Sequence, residues 1–163
     1  MSAQLHFEVE QFLFANAARC DAQDWDGYIE DFDEKVEFHV PQWDSEHVYT
    51  QDPKTGMSLI YYASRAGLED RVFRIRTGKS AASTPMPRTL HLLNNLRLIT
   101  VDEEGVEAAV NWHTLYFRLG TAEQMFGRAT YRIVKRPEGW RILRKHVLLL
   151  NDMINSVLDF YHL

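Results

Sequence analysis

The sequence has few of the residues that build disulfides, metal clusters or membrane segments. Its single cysteine, Cys20, excludes an internal disulfide and any cysteine-built metal cluster within this chain. No apolar run approaches the roughly 18 residues that a membrane helix requires. Acidic residues outnumber basic ones by 23 to 18, and the resulting net charge of −5 argues against nucleic-acid binding. Neither a phosphate-binding glycine loop nor a Gly-x-Ser-x-Gly motif occurs.

The composition is that of one globular domain. Hydrophobic residues make up 45% and charged residues 25% of the 163 positions, which are ordinary values. We find no internal repeat, low-complexity tract or linker, so we predict a single domain over residues 1–163. The first eleven residues lack the basic and apolar regions of a signal peptide, and we therefore expect a cytoplasmic location without a membrane partner.

The stretch 67–95 marks a change from helix to sheet. Apolar residues in its first part recur at helical spacing, and Gly78 is placed to end a helix over 67–78 in the left-handed conformation. Pro85 and Pro87 then bar further helix. From Thr89 onward the apolar residues alternate with polar ones, as they do in a half-buried strand.

The remaining patterns predict two more helices and a series of strands. One helix covers about 5–19, and a shorter one starts at Asp24, a favoured N-cap residue. Strands are predicted near 36–40, 57–63, 89–101, 106–118, 125–136 and 139–150. Helices mostly precede strands, so the predicted class is α+β, with a long antiparallel sheet and helices on one face. The long loop 41–56 is of a kind that often serves function or an interface.

Two turn sequences predict the register of the last four strands. Residues 102–105, Asp-Glu-Glu-Gly, suit a type I turn with a glycine bulge, which pairs Asp102 with Val106. This register places Leu90 and Leu92 on the same face as Trp112. Residues 136–139, Arg-Pro-Glu-Gly, have the same form and pair Arg136 with Trp140.

The second register sets two arginines opposite each other. Arg132 falls across from Arg144, and like charges directly across a sheet destabilise it unless an anion lies between them. One interpretation is a solvated face with a carboxylate such as Glu107 nearby. The other is an interface with an acidic partner, which supplies the countercharge. Both interpretations remain open from the sequence.

The histidines do not predict a metal site. In the register above, His91 and His113 share a face but lie roughly 13 Å apart along the strands, too far to share one ion. The remaining enzymatic hypothesis is a pocket between the curved sheet and the helices, as in a stand-alone dehydratase or isomerase or a ligand-binding module. Its candidate residues are Asp33, Tyr61, His91 and His113. No carboxylate pair and no His–Asp couple is spaced to show mutual tuning.

Three segments carry a resemblance to a known family. EFHVPQWD (37–44), SLIYYASRAGLEDRVFRIRTG (58–78) and PRTLHLLNN (87–95) resemble the beta, or small, subunit of aromatic-ring-hydroxylating dioxygenases, with the benzoate and anthranilate branch closest. The resemblance runs from about residue 7 to the end. It implies a cystatin-like cone, in which a long curved antiparallel sheet packs against about three N-terminal helices.

The resemblance also implies an assembly. Such subunits join a large alpha subunit in a three-plus-three hexamer with beta–beta contacts, and a separate reductase supplies electrons from NADH. The alpha subunit carries a Rieske [2Fe-2S] cluster and a mononuclear Fe(II), so the resemblance implies no cofactor and no catalytic residue in this chain. The leading hypothesis is a mainly structural subunit of a dioxygenase that dihydroxylates an aromatic carboxylate, with anthranilate favoured over benzoate.

We predict that subunit contacts involve several basic residues and one threonine. Each of them could equally be solvated or paired within the chain. The candidates are Arg71, Arg74, Arg88, Thr89, Arg132 and Arg144.

Overall fold

The computed structural model describes residues 2–163 as three helices and one six-stranded sheet, which confirms the α+β class. The elements in chain order are α1 (Ala3–Asp21), α2 (Trp25–Glu30), β1 (Phe32–Pro41), β2 (Ser58–Tyr62), α3 (Ala66–Arg76), β3 (Arg88–Val101), β4 (Gly105–Arg118), β5 (Thr121–Arg136) and β6 (Gly139–Leu149). The strand order across the sheet is β2-β1-β6-β5-β4-β3. All neighbouring strands are antiparallel except β1 and β6, which are parallel.

The long helix α1 forms because its ends are capped and one stripe is apolar. The Ser2 side chain accepts a hydrogen bond from the Leu5 amide at 3.1 Å, which satisfies one of the free N–H groups of the first turn. Val9, Leu13 and Cys20 are buried at helical spacing on the side that faces the sheet. The helix runs two residues beyond the predicted end, to Asp21.

The shorter helices follow their predicted signals. The Asp24 side chain accepts from the Gly27 amide at 3.1 Å and so begins α2 as predicted. In α3 the buried residues are Leu68, Val72 and Ile75, and Gly78 has a φ of 66°, the left-handed conformation that glycine adopts without strain. The chain then enters the loop that leads to β3. None of the helices in residues 2–163 is both long and apolar enough to cross a membrane.

The sheet has two different faces, because side chains alternate along each strand. The inner face packs against α1 and carries the buried core, for example Phe38, Trp112, Ile133 and Val147. The outer face carries the alternate residues, most of which are polar or partly exposed. The inner face is therefore largely buried, whereas the outer face is more exposed.

The predicted register of the first long hairpin is wrong. Val101, rather than Asp102, pairs with Val106, and two irregularities along β3 increase the offset. One of them contains Asn95, which has a φ of 53°. As a result Leu92 pairs with His113, and Leu90 and Leu92 lie on the outer face rather than with Trp112 on the inner face.

The second long hairpin is one residue tighter than predicted at its turn. Arg136 pairs with Gly139 rather than with Trp140. A shift between Arg132 and Ile133 then restores the predicted alignment, so that Arg132 lies opposite Arg144 as expected. A bulge can therefore correct a turn-derived register error a few residues further along the strand.

Candidate subunit interface

The two facing arginines are neutralised by acidic residues of the same chain. The Arg132 guanidinium donates to Asp102 at 2.8 Å, and Arg144 donates to Glu107 at 3.0 Å. The hydrogen bond from Arg132, followed by one from the Gly105 amide, lowers the pKa of Asp102 to about 2. The like-charge pair thus has countercharges without a partner chain, which favours the first of the two interpretations for this part of the outer face.

Arg71 is also paired within the chain, and Arg74 differs from it. Arg71 donates through Nε and Nη2 to Asp159, whose carboxylate is buried and also accepts from the Phe160 amide at 2.9 Å. These hydrogen bonds raise the pKa of Arg71. Arg74, three residues later in α3, makes no ion pair within residues 2–163. Arg71 therefore holds the C-terminal segment against α3.

Arg88 and Thr89 have different roles at the start of β3. The Thr89 hydroxyl donates to Asp21 at 2.8 Å, so it joins β3 to the end of α1. The Arg88 guanidinium lies 5.0 Å from the centre of the Phe117 ring on the exposed side, a cation–π arrangement. Arg88 is exposed and has no carboxylate partner among the described residues.

A His–Asp couple exists that the sequence did not predict. Asp21 accepts from His91 Nδ1 at 2.5 Å and from the His91 amide at 2.9 Å, and because an ionised carboxylate only accepts, Nδ1 carries the proton. Burial alone raises the pKa of Asp21, but the hydrogen bonds from His91 and Thr89 outweigh it and the pKa is lowered. The two residues lie 70 positions apart, and no local motif links them.

The four candidate pocket residues do not converge. Asp33 accepts from Arg136 at 2.8 Å near the β5–β6 hairpin, and the Tyr61 hydroxyl donates to Glu37 at 3.1 Å on the outer face. His113 also lies on the outer face, 2.8 Å from a side-chain oxygen of Gln124. Of the four, only His91 faces inward. The prediction that it shares a face with His113 is wrong, because the shifted register sets the two rings on opposite sides of the sheet.

The interior of the cone is filled by the C-terminal segment of the chain. Phe160 and Tyr161 are buried, and the buried Lys145 donates from Nζ to the backbone oxygen of Leu163 at 3.1 Å. Burial lowers the pKa of Lys145 to about 8 and raises the pKa of the Cys20 thiol to about 12. The C-terminal segment therefore occupies part of the interior.

The side chains present do not fit an iron site. Among residues 2–163, no group of three or more His, Cys, Asp or Glu side chains lies close enough to hold a metal ion. A Rieske cluster requires two cysteine ligands as well as two histidines, and the chain has one cysteine.

The outer face carries an exposed apolar area on β3, β4 and β5, which we call the outer patch. Its residues are Leu90, Leu92, Leu115, Phe117 and Phe126, each between 39% and 52% exposed. A groove of about 480 Å³ lies across it and is lined in part by Leu90, Leu115 and Phe117. Contiguous exposed apolar areas on a soluble protein commonly mark binding surfaces. The sequence did not predict the outer patch, because the predicted register turned two of its leucines inward.

Comparisons with known proteins agree with this architecture. The sequence profile described as "Ring hydroxylating beta subunit" matches residues 15–156. The anthranilate 1,2-dioxygenase small subunit of Acinetobacter baylyi is 54% identical over 162 residues, which cover 99% of each chain. The benzoate 1,2-dioxygenase subunit beta of the same organism is 40% identical and covers 96% of this chain and 92% of its own.

A solved structure has the same fold. The crystal structure of the beta subunit of the benzoate 1,2-dioxygenase from Burkholderia mallei superposes with a TM-score of 0.80 at 34% identity, and covers 95% of both chains. The match includes the curved sheet and the helices that pack against it, as the resemblance of the three sequence segments implies. The chain therefore belongs to the ring-hydroxylating beta subunit family, whose members are components of oxidoreductase complexes.

Proposed function

We propose that this chain is the non-catalytic small subunit of a dioxygenase that dihydroxylates anthranilate. The observation that carries this proposal is the 54% identity, over nearly the whole chain, to an anthranilate 1,2-dioxygenase small subunit. The identity to a benzoate 1,2-dioxygenase subunit is lower, at 40%, so benzoate is the second candidate. With anthranilate, O₂, NADH and two protons as reactants, the products are catechol, ammonia, carbon dioxide and NAD⁺.

The proposed assembly is three small and three large subunits, with contacts between small subunits, in the cytoplasm. The large subunit holds the Rieske cluster and the mononuclear Fe(II), and a reductase delivers electrons from NADH. This division of labour is supported by the similarity of nearly the whole chain to the small subunits of two dioxygenases. The stand-alone pocket enzyme is not favoured, because its candidate residues lie on different sides of the sheet.

Within this proposal, the six predicted contact residues divide into two groups. Arg74 and Arg88 have no ion pair within residues 2–163, so their guanidinium groups are available to a partner. The other four bind side chains of the same chain and so stabilise the fold of the small subunit itself. These four are Arg71, Thr89, Arg132 and Arg144.

The proposal is tested by purifying the chain alone, the large subunit alone and the two together. Each preparation is supplied with reductase, NADH, O₂ and anthranilate or benzoate, and catechol or the cis-dihydrodiol is measured by chromatography. We expect turnover only from the complex, with a higher kcat/KM for anthranilate than for benzoate. Turnover by the isolated small subunit would contradict the proposal, as would a large subunit that is fully active and never binds this chain.

A further inference from the structure

We infer that one buried water molecule binds between β3 and β4, where it donates a hydrogen bond to His91 Nε2 and accepts one from the Thr114 hydroxyl. The site lies on the inner face of the sheet, beside the end of α1 that carries Asp21. The inference concerns this chain alone and does not depend on the proposed function.

His91 and Thr114 lie side by side on two neighbouring strands. They are paired residues of β3 and β4, so both side chains leave the sheet on the same face, with Cβ atoms about 4.5–5.5 Å apart. The His91 side chain is 4% exposed, and Thr114 is 0% exposed. Each has one buried polar atom, His91 Nε2 or Thr114 Oγ1, that makes no hydrogen bond within residues 2–163. Two buried polar atoms without partners therefore occur together in one enclosed place.

The other ring nitrogen determines what His91 Nε2 can bind. Nδ1 donates its proton to Asp21 at 2.5 Å, so Nε2 of the neutral ring can only accept a hydrogen bond. The Thr114 hydroxyl can donate one hydrogen bond and accept others. The ligand between them must therefore be a donor toward His91, and it can be an acceptor toward Thr114.

A single water molecule satisfies these requirements. The two side chains are not hydrogen-bonded to each other, and one water can bridge polar atoms up to about 5.5 Å apart. Within residues 2–163 no group of three or more potential metal ligands is close enough to hold an ion. Leaving both atoms unpaired would be costly, and buried waters in proteins commonly bind such groups.

The other buried polar atoms without partners in the described part of the chain are Tyr28 OH, Thr50 Oγ1 and Trp112 Nε1. Trp112 is the one that shares β4 with Thr114, two residues before it on the same face. Its indole nitrogen packs against Gly127 of β5, whereas His91 lies on β3, at the opposite side of β4. The inferred site therefore has two side-chain partners, His91 and Thr114.

The water would complete a chain of hydrogen bonds from α1 to β4. Thr89 and His91 on β3 both donate to Asp21 at the end of α1. The water continues this chain from His91 to Thr114. The end of α1 is thereby joined to two strands of the sheet instead of one.

The direct test is a high-resolution crystal structure of the complete chain. We expect density for a water oxygen about 2.7–3.2 Å from both His91 Nε2 and Thr114 Oγ1. A direct hydrogen bond between these two atoms would overturn the inference. So would an apolar side chain that fills the position between them.

Thermal unfolding of Thr114→Val is an independent test, because the substitution replaces the hydroxyl by a methyl group with little change of shape. A bound water would lose one of its partners, and we expect Tm to fall by about 2–4 °C. Removal of a hydroxyl that has no partner would instead leave Tm unchanged or raise it. The sign of the change therefore decides between a bound water and an unpaired hydroxyl.

The same substitution in a His91→Phe background separates hydrogen bonding from packing. His91→Phe removes the acceptor, so Thr114→Val should no longer lower Tm there. Thr130→Val, at a half-buried position on the outer face, is the matched control and should change Tm equally in both backgrounds. An equal fall for Thr114→Val in both backgrounds would assign its cost to packing and overturn the inference. If His91→Phe does not fold, the crystal structure and the sign of the Thr114→Val change still decide the question.

Discussion

Replacing Arg71 with Met tests whether its pair with Asp159 holds the C-terminal segment in the core. The Asp159 carboxylate is 3% exposed, so removal of Arg71 leaves a buried charge without its cation. Breaking such a pair costs about 3–5 kcal/mol. The lower end applies here, because Arg71 is 23% exposed and the carboxylate keeps its hydrogen bond from the Phe160 amide. For a domain of this size, about 3 kcal/mol corresponds to a fall in Tm of about 6–12 °C.

The measurement is thermal unfolding followed by circular dichroism, with Arg74→Met as the control on the same helix. Arg74 has no ion pair in residues 2–163, so its loss should change the unfolding free energy by less than about 0.5 kcal/mol. The double variant Arg71→Met with Asp159→Asn should recover part of the loss, because both charges are gone. If Arg71→Met lowers Tm no more than Arg74→Met does, the pair does not stabilise the C-terminal segment.

Two further predictions concern titrating groups, the half-buried Asp21 and the buried Lys145. Asp21→Asn replaces one carboxylate oxygen with an NH₂ group that cannot accept, so one of the hydrogen bonds from His91 is lost and the change should cost about 1–3 kcal/mol at pH 7. Because the folded pKa of Asp21 is lowered below 3.8, this difference should shrink as the pH falls below 4, which urea unfolding at pH 7 and pH 3 measures. An equal cost at both pH values would contradict it. The pKa of Lys145 is about 8 in the folded state and 10.5 in the unfolded state, so the unfolded state binds more protons between these two pH values. The unfolding free energy of the wild type should therefore rise by about 3 kcal/mol relative to that of Lys145→Met as the pH rises from 8 to 10.5. Parallel pH profiles for wild type and Lys145→Met would refute this assignment.

Local patterns predicted the elements well because their signals are short-range. The spacing of Leu68, Val72 and Ile75 and the glycine at 78 define α3 from neighbouring residues alone, and the structure confirms them. The pairing of Arg132 with Arg144 was also predicted, although the predicted turn after Arg136 was one residue longer than the turn in the structure. Their countercharges, Asp102 and Glu107, are less accessible to sequence reasoning, because they come from a different hairpin.

Register was the weak point, because it depends on irregularities that have no clear signal in the sequence. The shift at Asn95 moves Leu90 and Leu92 from the inner to the outer face and so creates the outer patch. A period-2 pattern reports that side chains alternate but not which face is buried, since a one-residue slip reverses every side chain. The same slip separates His91 from His113.

The sequence by itself determined the α+β class, the capped helices, the number of long strands and, through three specific segments, the family. These properties depend on residues close together in the chain or on a pattern of identities. Only the tertiary structure decided which polar groups meet, such as Asp21 with His91 and Arg71 with Asp159, because 70 and 88 positions separate them. It also decided which leucines are exposed, since bulges in β3 accumulate an offset that no single turn specifies.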